Sequence, residues 1–312
     1  MRAENPNSTS ERPLVNPEAI GRAIADIESL DARSVEISAL RERIGSICRG
    51  HYRVMAPRFE AGLQLFRGRI CPKPRKLSEI SYPPDKGTTL GRVNRPGQTF
   101  FYCSTIREAP FFELMPEPGD TMTVSRWTTT SAMTANHVGY TATTFSGLQS
   151  ARTHAGWDNK PAEIPGDEIN KEIAEFLART FAKIVRRGEE HHYKLSVAIA
   201  EELFLADVFD ALLYPTIPMR ANADNLAIKP LYVDSSLRFV KAEFVRIDRL
   251  REFGFDITVL DTATQVSEDG VLSWRGRLDG WVLKNQGDTL IFTDENGKWV
   301  ARDKSGRVVE AE

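Results

Sequence analysis

Two charged side chains lie in otherwise apolar sequence, where a charge needs a partner or a chemical role. Arg67 belongs to "GLQLFRGRI", a predicted strand on which it shares a face with Leu63 and Leu65, and Glu113 follows two phenylalanines in "APFFEL". Burying an unpaired charge is expensive. An arginine in this setting is suited to binding an anion, and a carboxylate is suited to stabilising a developing positive charge. A structural ion pair is the alternative for each residue.

A second group of polar residues follows along the chain. The loop "GRVNRPG" carries Arg92 and Asn94, and Tyr102 ends the run "TFFY". Thr216 and Asn225 come after "ALLYP", a predicted buried strand. Their guanidinium, amide and hydroxyl groups can all hydrogen-bond a ligand. The structural alternatives are an exposed loop charge for Arg92, core packing for Tyr102 and the shaping of a turn for Thr216.

These pieces, taken in order, resemble the RES domain family, which is named for its Arg, Glu and Ser. Its members have an aromatic-Arg strand, a "GR-N-PG" loop, a short strand ending in Tyr, a helix carrying Glu, and a "YPS" turn before an Asn-Ala-like segment. The matching pieces span roughly residues 63 to 235 and are Phe66-Arg67, Gly91-Arg92-Val93-Asn94, Pro96-Gly97, Tyr102, Glu113, Tyr214-Pro215-Thr216 and Asn225-Leu226-Ala227. Thr216 stands where the family has Ser; it keeps the hydroxyl and adds a methyl that could crowd a ligand.

The resemblance implies an ADP-ribosyltransferase-like fold that binds NAD and breaks its nicotinamide–ribose bond. The residues that it assigns are Glu113, Arg67 and Thr216 for catalysis and Arg67, Arg92, Asn94, Tyr102 and Asn225 for NAD binding. Guanidinium groups bind a diphosphate bidentately, a tyrosine ring attracts the cationic nicotinamide, and a carboxylate stabilises the oxocarbenium character of the ribose. Several relatives are toxins that pair with an antitoxin from a separate chain.

Three functions remain open at this point. The first is an NAD glycohydrolase or phosphorylase. The second is an ADP-ribosyltransferase that modifies a macromolecule; Phe111 occupies the position two residues before Glu113, where an acceptor-orienting carboxylate would be expected, and this weighs against modification of protein arginines. The third is a non-catalytic module that binds NAD or a partner.

Composition narrows the partners that we expect. The net charge of −2 gives no global basic field of the kind that nucleic-acid-binding proteins carry. Cys48, Cys71 and Cys103 have no metal-ligand spacing, and such a sparse set indicates a reducing compartment. The sequence has no apolar run long enough to span a membrane and no signal-peptide core. We therefore expect a cytoplasmic protein with no metal, nucleic acid or membrane partner, and its oligomeric state stays open.

Helices and strands are predicted to position these residues. They alternate irregularly along the chain, and this order favours the α+β class. Apolar spacing predicts two helices within 16–50 and two stronger ones within 166–205. Strand composition marks "TMTVSRWTTT", "HVGYTATTF" and several segments after residue 236. Thr105 and Glu108 match a capping box, which predicts a short helix near 106–115.

The chain is expected to divide into four consecutive parts. They are a disordered tail over 1–15, a helical N-terminal extension over 16–60, a RES-like NAD-binding catalytic domain over 61–250, and a C-terminal β-rich extension over 251–312, with mixed sheets flanked by helices in the catalytic domain.

Overall fold

The computed structural model describes residues 16–309, except 87, 153–155, 158–159, 162–165, 187, 206, 253, 277–279, 286–287 and 296–297. The tail expected over 1–15 lies outside the described residues. So does most of the hairpin turn expected at Glu295-Asn296-Gly297, although the strands on either side of it pair as expected, with Glu295 opposite Lys298.

The described residues form seven α-helices, and apolar spacing predicts four of them, two within 16–50 and two in the segment that begins at residue 166. Their bounds are α1 Pro17–Glu28, α2 Ile37–Cys48, α3 Ala109–Leu114, α4 Ala142–Gly147, α5 Glu168–Ala182, α6 Tyr193–Leu203 and α7 Pro230–Ser236, with short 3-10 helices at Leu77–Glu79 and Glu190–His192. Side-chain caps fix where two of them start. Asn16 accepts a hydrogen bond from the Ala19 amide at 2.8 Å, and Asp167 accepts one from the Asn170 amide at 2.6 Å.

The strands are mostly antiparallel, so the structure confirms the mixed α+β class predicted from the sequence. Their bounds are β1 Arg58–Phe59, β2 Gln64–Ile70, β3 Phe101–Ser104, β4 Thr121–Thr129, β5 Met133–His137, β6 Gly156–Trp157, β7 Lys160–Pro161, β8 Ala211–Pro215, β9 Asp224–Ile228, β10 Leu237–Arg251, β11 Gly254–Val266, β12 Leu272–Trp274, β13 Gly280–Asn285, β14 Asp288–Glu295 and β15 Lys298–Arg302.

The chain forms two compact units, and each is assembled from separate segments. Unit 1 consists of 1–61, 83–102 and 131–236; unit 2 consists of 62–82, 103–130 and 237–312. The boundary at Ala61 lies next to the one expected at residue 60. The expected four-part linear division stays a prediction; helices α1 and α2 belong to unit 1.

Unit 1 is built around one large apolar cluster. The amphipathic faces of α1, α2, α5 and α6 supply most of it, including Ile24, Ile44, Phe176 and Val197, all at most 5% exposed. The Arg49 guanidinium at the end of α2 donates two hydrogen bonds, of 2.6 and 2.8 Å, to the Glu202 carboxylate of α6. The first two helices are therefore part of this core.

The strands of unit 1 place its polar candidates at strand ends. β5 lies between β1, which is antiparallel to it, and β8, which is parallel to it. β8 and β9 are antiparallel, with Tyr214 opposite Asn225, and all residues of both strands are buried. Thr216 directly follows β8, so the turn between the two strands carries its side chain.

Unit 2 contains an antiparallel sheet in the order β2-β4-β10-β11-β12. Leu65, Trp127 and Phe239 lie in register on one face, where the Trp127 and Phe239 rings are 5.6 Å apart. Helix α3 covers the other face, and its Phe111 packs into a cluster with Val124. A side chain at Gly68 would meet Pro110 of α3 at 2.7 Å, so this approach requires glycine.

Two local predictions were wrong. The segment "HVGYTATTF" continues as a strand only to His137 and then forms helix α4. Its cap is Thr141, whose hydroxyl oxygen accepts from the Thr144 amide at 3.2 Å, and this local hydrogen bond outweighs β propensity. The short helix expected near 106–115 does form, as α3, but the capping box expected at Thr105 and Glu108 does not: α3 begins after Glu108, which makes no side-chain cap hydrogen bond.

Candidate functional site

The predicted site residues are distributed between the two units. Arg67 and Glu113 belong to unit 2. The five others belong to unit 1 and are Arg92, Asn94, Tyr102, Thr216 and Asn225. Convergence of all seven on one ligand stays a prediction.

Asn94 and Tyr102 form one hydrogen-bond network in the "GRVNRPG" loop. The Tyr102 hydroxyl donates to Asn94 Oδ1 at 2.7 Å and accepts from the Val93 amide at 3.2 Å. Asn94, only 5% exposed, donates from Nδ2 to the carbonyls of Thr89 at 2.8 Å and Arg95 at 3.0 Å. The polar atoms of both side chains thus hold the loop, and the half-buried Tyr102 ring is the part suited to stacking.

Arg92 binds the end of a helix. Its guanidinium donates to the carbonyls of Phe181 and Lys183, at the C-terminus of α5, and lies 5.3 Å from the centre of the Tyr193 ring. Helix C-termini leave carbonyls unpaired and carry partial negative charge, so a cation is stabilising there. A diphosphate would compete with these acceptors, and the role of Arg92 in NAD binding stays a prediction.

Thr216 has a buried hydroxyl without a hydrogen-bond partner among the described residues. The residue is 0% exposed. Its backbone is fully used, because the Thr216 amide donates to the Ala223 carbonyl at 2.9 Å and its carbonyl accepts from the Ala221 amide at 2.7 Å. A buried polar group left unsatisfied costs about 1–3 kcal/mol. Such a group in a native protein requires an explanation, and a bound ligand is one.

The turn that follows Thr216 has unusual backbone geometry. Arg220 and Ala221 adopt φ angles of 51° and 58°, in the left-handed region that residues with a side chain avoid. Conformations of this kind cost of the order of 1–3 kcal/mol each and persist only where surrounding contacts fix them. Asp224 lies opposite Pro215 at the base of this turn and belongs to a cluster of polar side chains that local sequence patterns do not reveal.

This cluster surrounds Asp224, the first residue of β9. Asp224 Oδ1 accepts from the Tyr140 hydroxyl at 2.8 Å and from Arg152 Nη1 at 2.9 Å. Tyr140 and Asp224 are 2% and 3% exposed. The Arg152 guanidinium also lies 5.6 Å from the centre of the Phe145 ring. Burial, with the charge of Asp224 added to it, raises the pKa of Tyr140 well above its usual value, so the hydroxyl remains a donor.

His137 packs beside this cluster. Its ring centre is 5.6 Å from that of Tyr140, and burial lowers the pKa of His137 to about 4. The imidazole is therefore neutral at physiological pH. His137 and Tyr140 are close in sequence, but no local pattern links them to Arg152 and Asp224, which lie further along the chain.

In unit 2, Arg67 is half-buried on β2. Its carbonyl accepts from the Ser125 hydroxyl at 3.2 Å. Its side chain lies near Cys103: burial raises the pKa of that thiol, and the charge of Arg67 opposes the rise. Gly68 presents its face of β2 to α3. Because side chains alternate along a strand, Arg67 projects from the face opposite to the one that α3 covers.

Glu113 is exposed, which corrects the expectation of a carboxylate on a mostly buried helix. The buried residues of α3 are Ala109, Pro110 and Phe111. The helix ends one residue after Glu113, at Leu114, and Met115 follows with a φ of 45°. The reason given for a chemical role, the cost of burying its charge, is therefore wrong. Its carboxylate is instead accessible to a ligand from solvent.

No family model matches the chain, and comparison with curated proteins and solved structures finds no match either. Within the described part of the chain, no group of three or more His, Cys, Asp or Glu side chains could hold a metal ion. Across the same residues, none of the helices is both long and apolar enough to cross a membrane.

Proposed function

We propose that the chain is a RES-like enzyme of ADP-ribosyltransferase-like fold that binds NAD and cleaves its nicotinamide–ribose bond. The observation that carries this proposal is the buried, unpartnered hydroxyl of Thr216. The sequence resemblance assigns a ligand-contacting hydroxyl to this very position. A ribose or phosphate oxygen that hydrogen-bonds the Thr216 hydroxyl would offset the free-energy cost of burying that hydroxyl without a partner.

Glu113 is the proposed carboxylate for the chemical step. Its exposure on α3 lets it accept a hydrogen bond from a ribose hydroxyl. As the bond to nicotinamide breaks, positive charge develops on the ribose, and a fixed negative charge nearby lowers the barrier. Arg67 in the same unit is the proposed partner of the diphosphate, because its guanidinium can bind two phosphate oxygens at once.

The proposal also includes the acceptor of the ADP-ribosyl group. Water and inorganic phosphate are the acceptors that we propose, with release of ADP-ribose or its 1-phosphate. Phe111 supports this choice, because it is apolar and buried where an acceptor-orienting carboxylate would be needed. An antitoxin from a separate chain, and a toxic effect of this one, are further expectations of the same resemblance.

The deciding experiment is an end-point assay on purified protein. Wild-type protein and the Glu113→Gln variant are incubated with NAD, with and without phosphate, and the products are identified by mass. We expect nicotinamide together with ADP-ribose or ADP-ribose phosphate from the wild type only. NAD that binds but stays intact would favour the non-catalytic module, and ADP-ribose found on added macromolecules would favour the transferase.

A further inference from the structure

We propose that Tyr140, Arg152, Asp224 and Asn222 are positioning residues that fix the turn carrying Thr216. This inference rests on the proposed function for its catalytic part. It concerns residues that neither contact the reacting bond in the proposal nor belong to the pieces that resemble the RES family. These residues would let unit 1 hold the Thr216 hydroxyl in a defined place without a hydrogen bond to that hydroxyl.

The first anchor lies on the strand side of the turn. Asp224 pairs with Pro215 in the β8–β9 register, so it is directly beside the residue that precedes Thr216. Its carboxylate is held from two directions by Tyr140 and Arg152, at 2.8 and 2.9 Å. A charge-assisted hydrogen bond in a buried setting is worth more than an ordinary one, so this end of the turn is rigid.

The second anchor lies on the loop side of the turn. Asn222 Oδ1 accepts from the Ala151 amide at 2.9 Å and from the Ser150 hydroxyl at 3.1 Å. Its Nδ2 donates to the Met219 carbonyl at 2.8 Å. One side chain thus joins segment 150–152 to the turn and closes the turn on itself, although Asn222 is exposed and contributes little to the apolar core.

The two anchors act on the same short segment, because Arg152 directly follows the residues that Asn222 binds. Together they account for the persistence of the left-handed conformations at Arg220 and Ala221. Without them, relaxation of this backbone would move the Thr216 hydroxyl. A displacement of about 1 Å of a group that contacts a reacting substrate can lower turnover by about a hundredfold.

The test compares Asp224→Asn and Asn222→Ala with the wild type by hydrogen exchange and by NAD turnover. Asn222→Ala keeps the protein foldable because the residue is exposed, and Arg179→Ala is the matched control, since its exposed pair with Glu28 lies elsewhere in unit 1. We expect the amides of Thr216 and Ala221 to exchange at least tenfold faster in both variants and not in the control. Amides of α5 should stay protected throughout.

Measurements of NAD turnover then distinguish a loss of positioning of the Thr216 hydroxyl from a loss of stability alone. We expect kcat for NAD cleavage to fall about 10–100-fold in both variants, with KM changed far less. Unchanged exchange in the turn, or faster exchange with full turnover, would overturn the inference. Wild-type protein that leaves NAD intact would overturn the proposed function instead; in that case faster exchange in the variants would still support the two anchors, and unchanged exchange would overturn them as well.

Discussion

The two units are built in different ways, although arginines bind carboxylates in both, as Arg107 binds Glu243 in unit 2. In unit 1, helices and loops surround one large apolar cluster, and arginines at its edge bind carboxylates or helix ends, as Arg49, Arg92 and Arg152 do. In unit 2, pairing between long strands dominates, and the apolar clusters are small. Glu113 there is exposed on a six-residue helix.

This difference predicts whether loss of a side chain should change stability or activity. Replacing a side chain of unit 1 that binds a carboxylate or a helix end removes a contact that the fold needs, so stability should change first. Replacing Glu113 in unit 2 removes a group at the surface, so activity should change while stability does not.

Glu113→Gln should have the largest effect, and it should appear in turnover alone. The amide preserves the shape and can still hydrogen-bond a ribose hydroxyl, so NAD should bind within about tenfold of wild type, or ~1.4 kcal/mol. Loss of the negative charge should lower single-turnover cleavage by about 10²–10³-fold. Calorimetry and quenched-flow assays measure the two quantities.

The matched control for this variant is Glu117→Gln, an exposed carboxylate four residues further along the same unit. It should retain full activity. Wild-type cleavage by Glu113→Gln would show that this carboxylate has no part in the chemistry, and a large drop in its melting temperature would break the contrast between the units.

His137 should make the stability of unit 1 depend on pH. Burial lowers the folded-state pKa to about 4, below the value of about 6.5 in the unfolded chain. Both states are neutral at pH 7; as the pH falls from about 6.5 to about 4, only the unfolded state binds the proton. His137 should therefore cost the fold about 3 kcal/mol across that window.

Urea denaturation between pH 7 and pH 4 measures this effect, with His137→Gln as the test variant. The variant should lose less stability on acidification than the wild type. His51→Gln, a partly exposed histidine of the same unit, serves as the control. Parallel pH dependences for wild type and His137→Gln would contradict the assignment.

Arg92→Ala should mainly lower stability, whereas Arg67→Ala should mainly weaken NAD binding. The first removes a charged donor from the end of α5, so unit 1 should lose about 1.5–3 kcal/mol of stability. The second removes the proposed diphosphate ligand, so NAD affinity should fall while unfolding changes less. Denaturant titration and NAD calorimetry on both proteins separate the two roles, and weakened NAD binding by Arg92→Ala at unchanged stability would reverse the assignment.

Thr216→Val should have a small effect on stability, and that effect should be a gain. Valine replaces the unpartnered hydroxyl with a methyl of the same shape, so unfolding should cost about 1 kcal/mol more than in the wild type. NAD turnover should fall, whereas Thr216→Ser should keep it. Full turnover by the valine variant would mean that the hydroxyl serves no ligand.

Local sequence patterns predict the elements of this fold better than they predict its polar contacts. Apolar spacing identifies α1, α2, α5 and α6, because each buries one face in the core of unit 1. Composition fails for α4, where a single threonine cap decides the structure. The capping-box match at Thr105 fails too, since the chain enters the helix three residues later.

The roles of the predicted site residues are hard to predict because their partners are distant in sequence. The structural role of Arg92 depends on carbonyls at Phe181 and Lys183, about ninety positions away, and no local pattern reports them. Likewise, nothing in the sequence around Asp224 indicates that Tyr140 and Arg152 bind it. Residue types that suit an anion or a sugar suit a helix end or a buried carboxylate equally well.

The interleaved order of the two units has a consequence for synthesis of the chain. Every segment of unit 1 has left the ribosome once residue 236 has emerged, so its core can close while translation continues. Unit 2 cannot, because β4 pairs with β10, which begins only at Leu237. Until then β4 presents an unpaired edge, and an unpaired edge invites association with other chains. The nascent protein is therefore most vulnerable to aggregation, and most dependent on chaperones, in the interval between the emergence of β4 and that of β10.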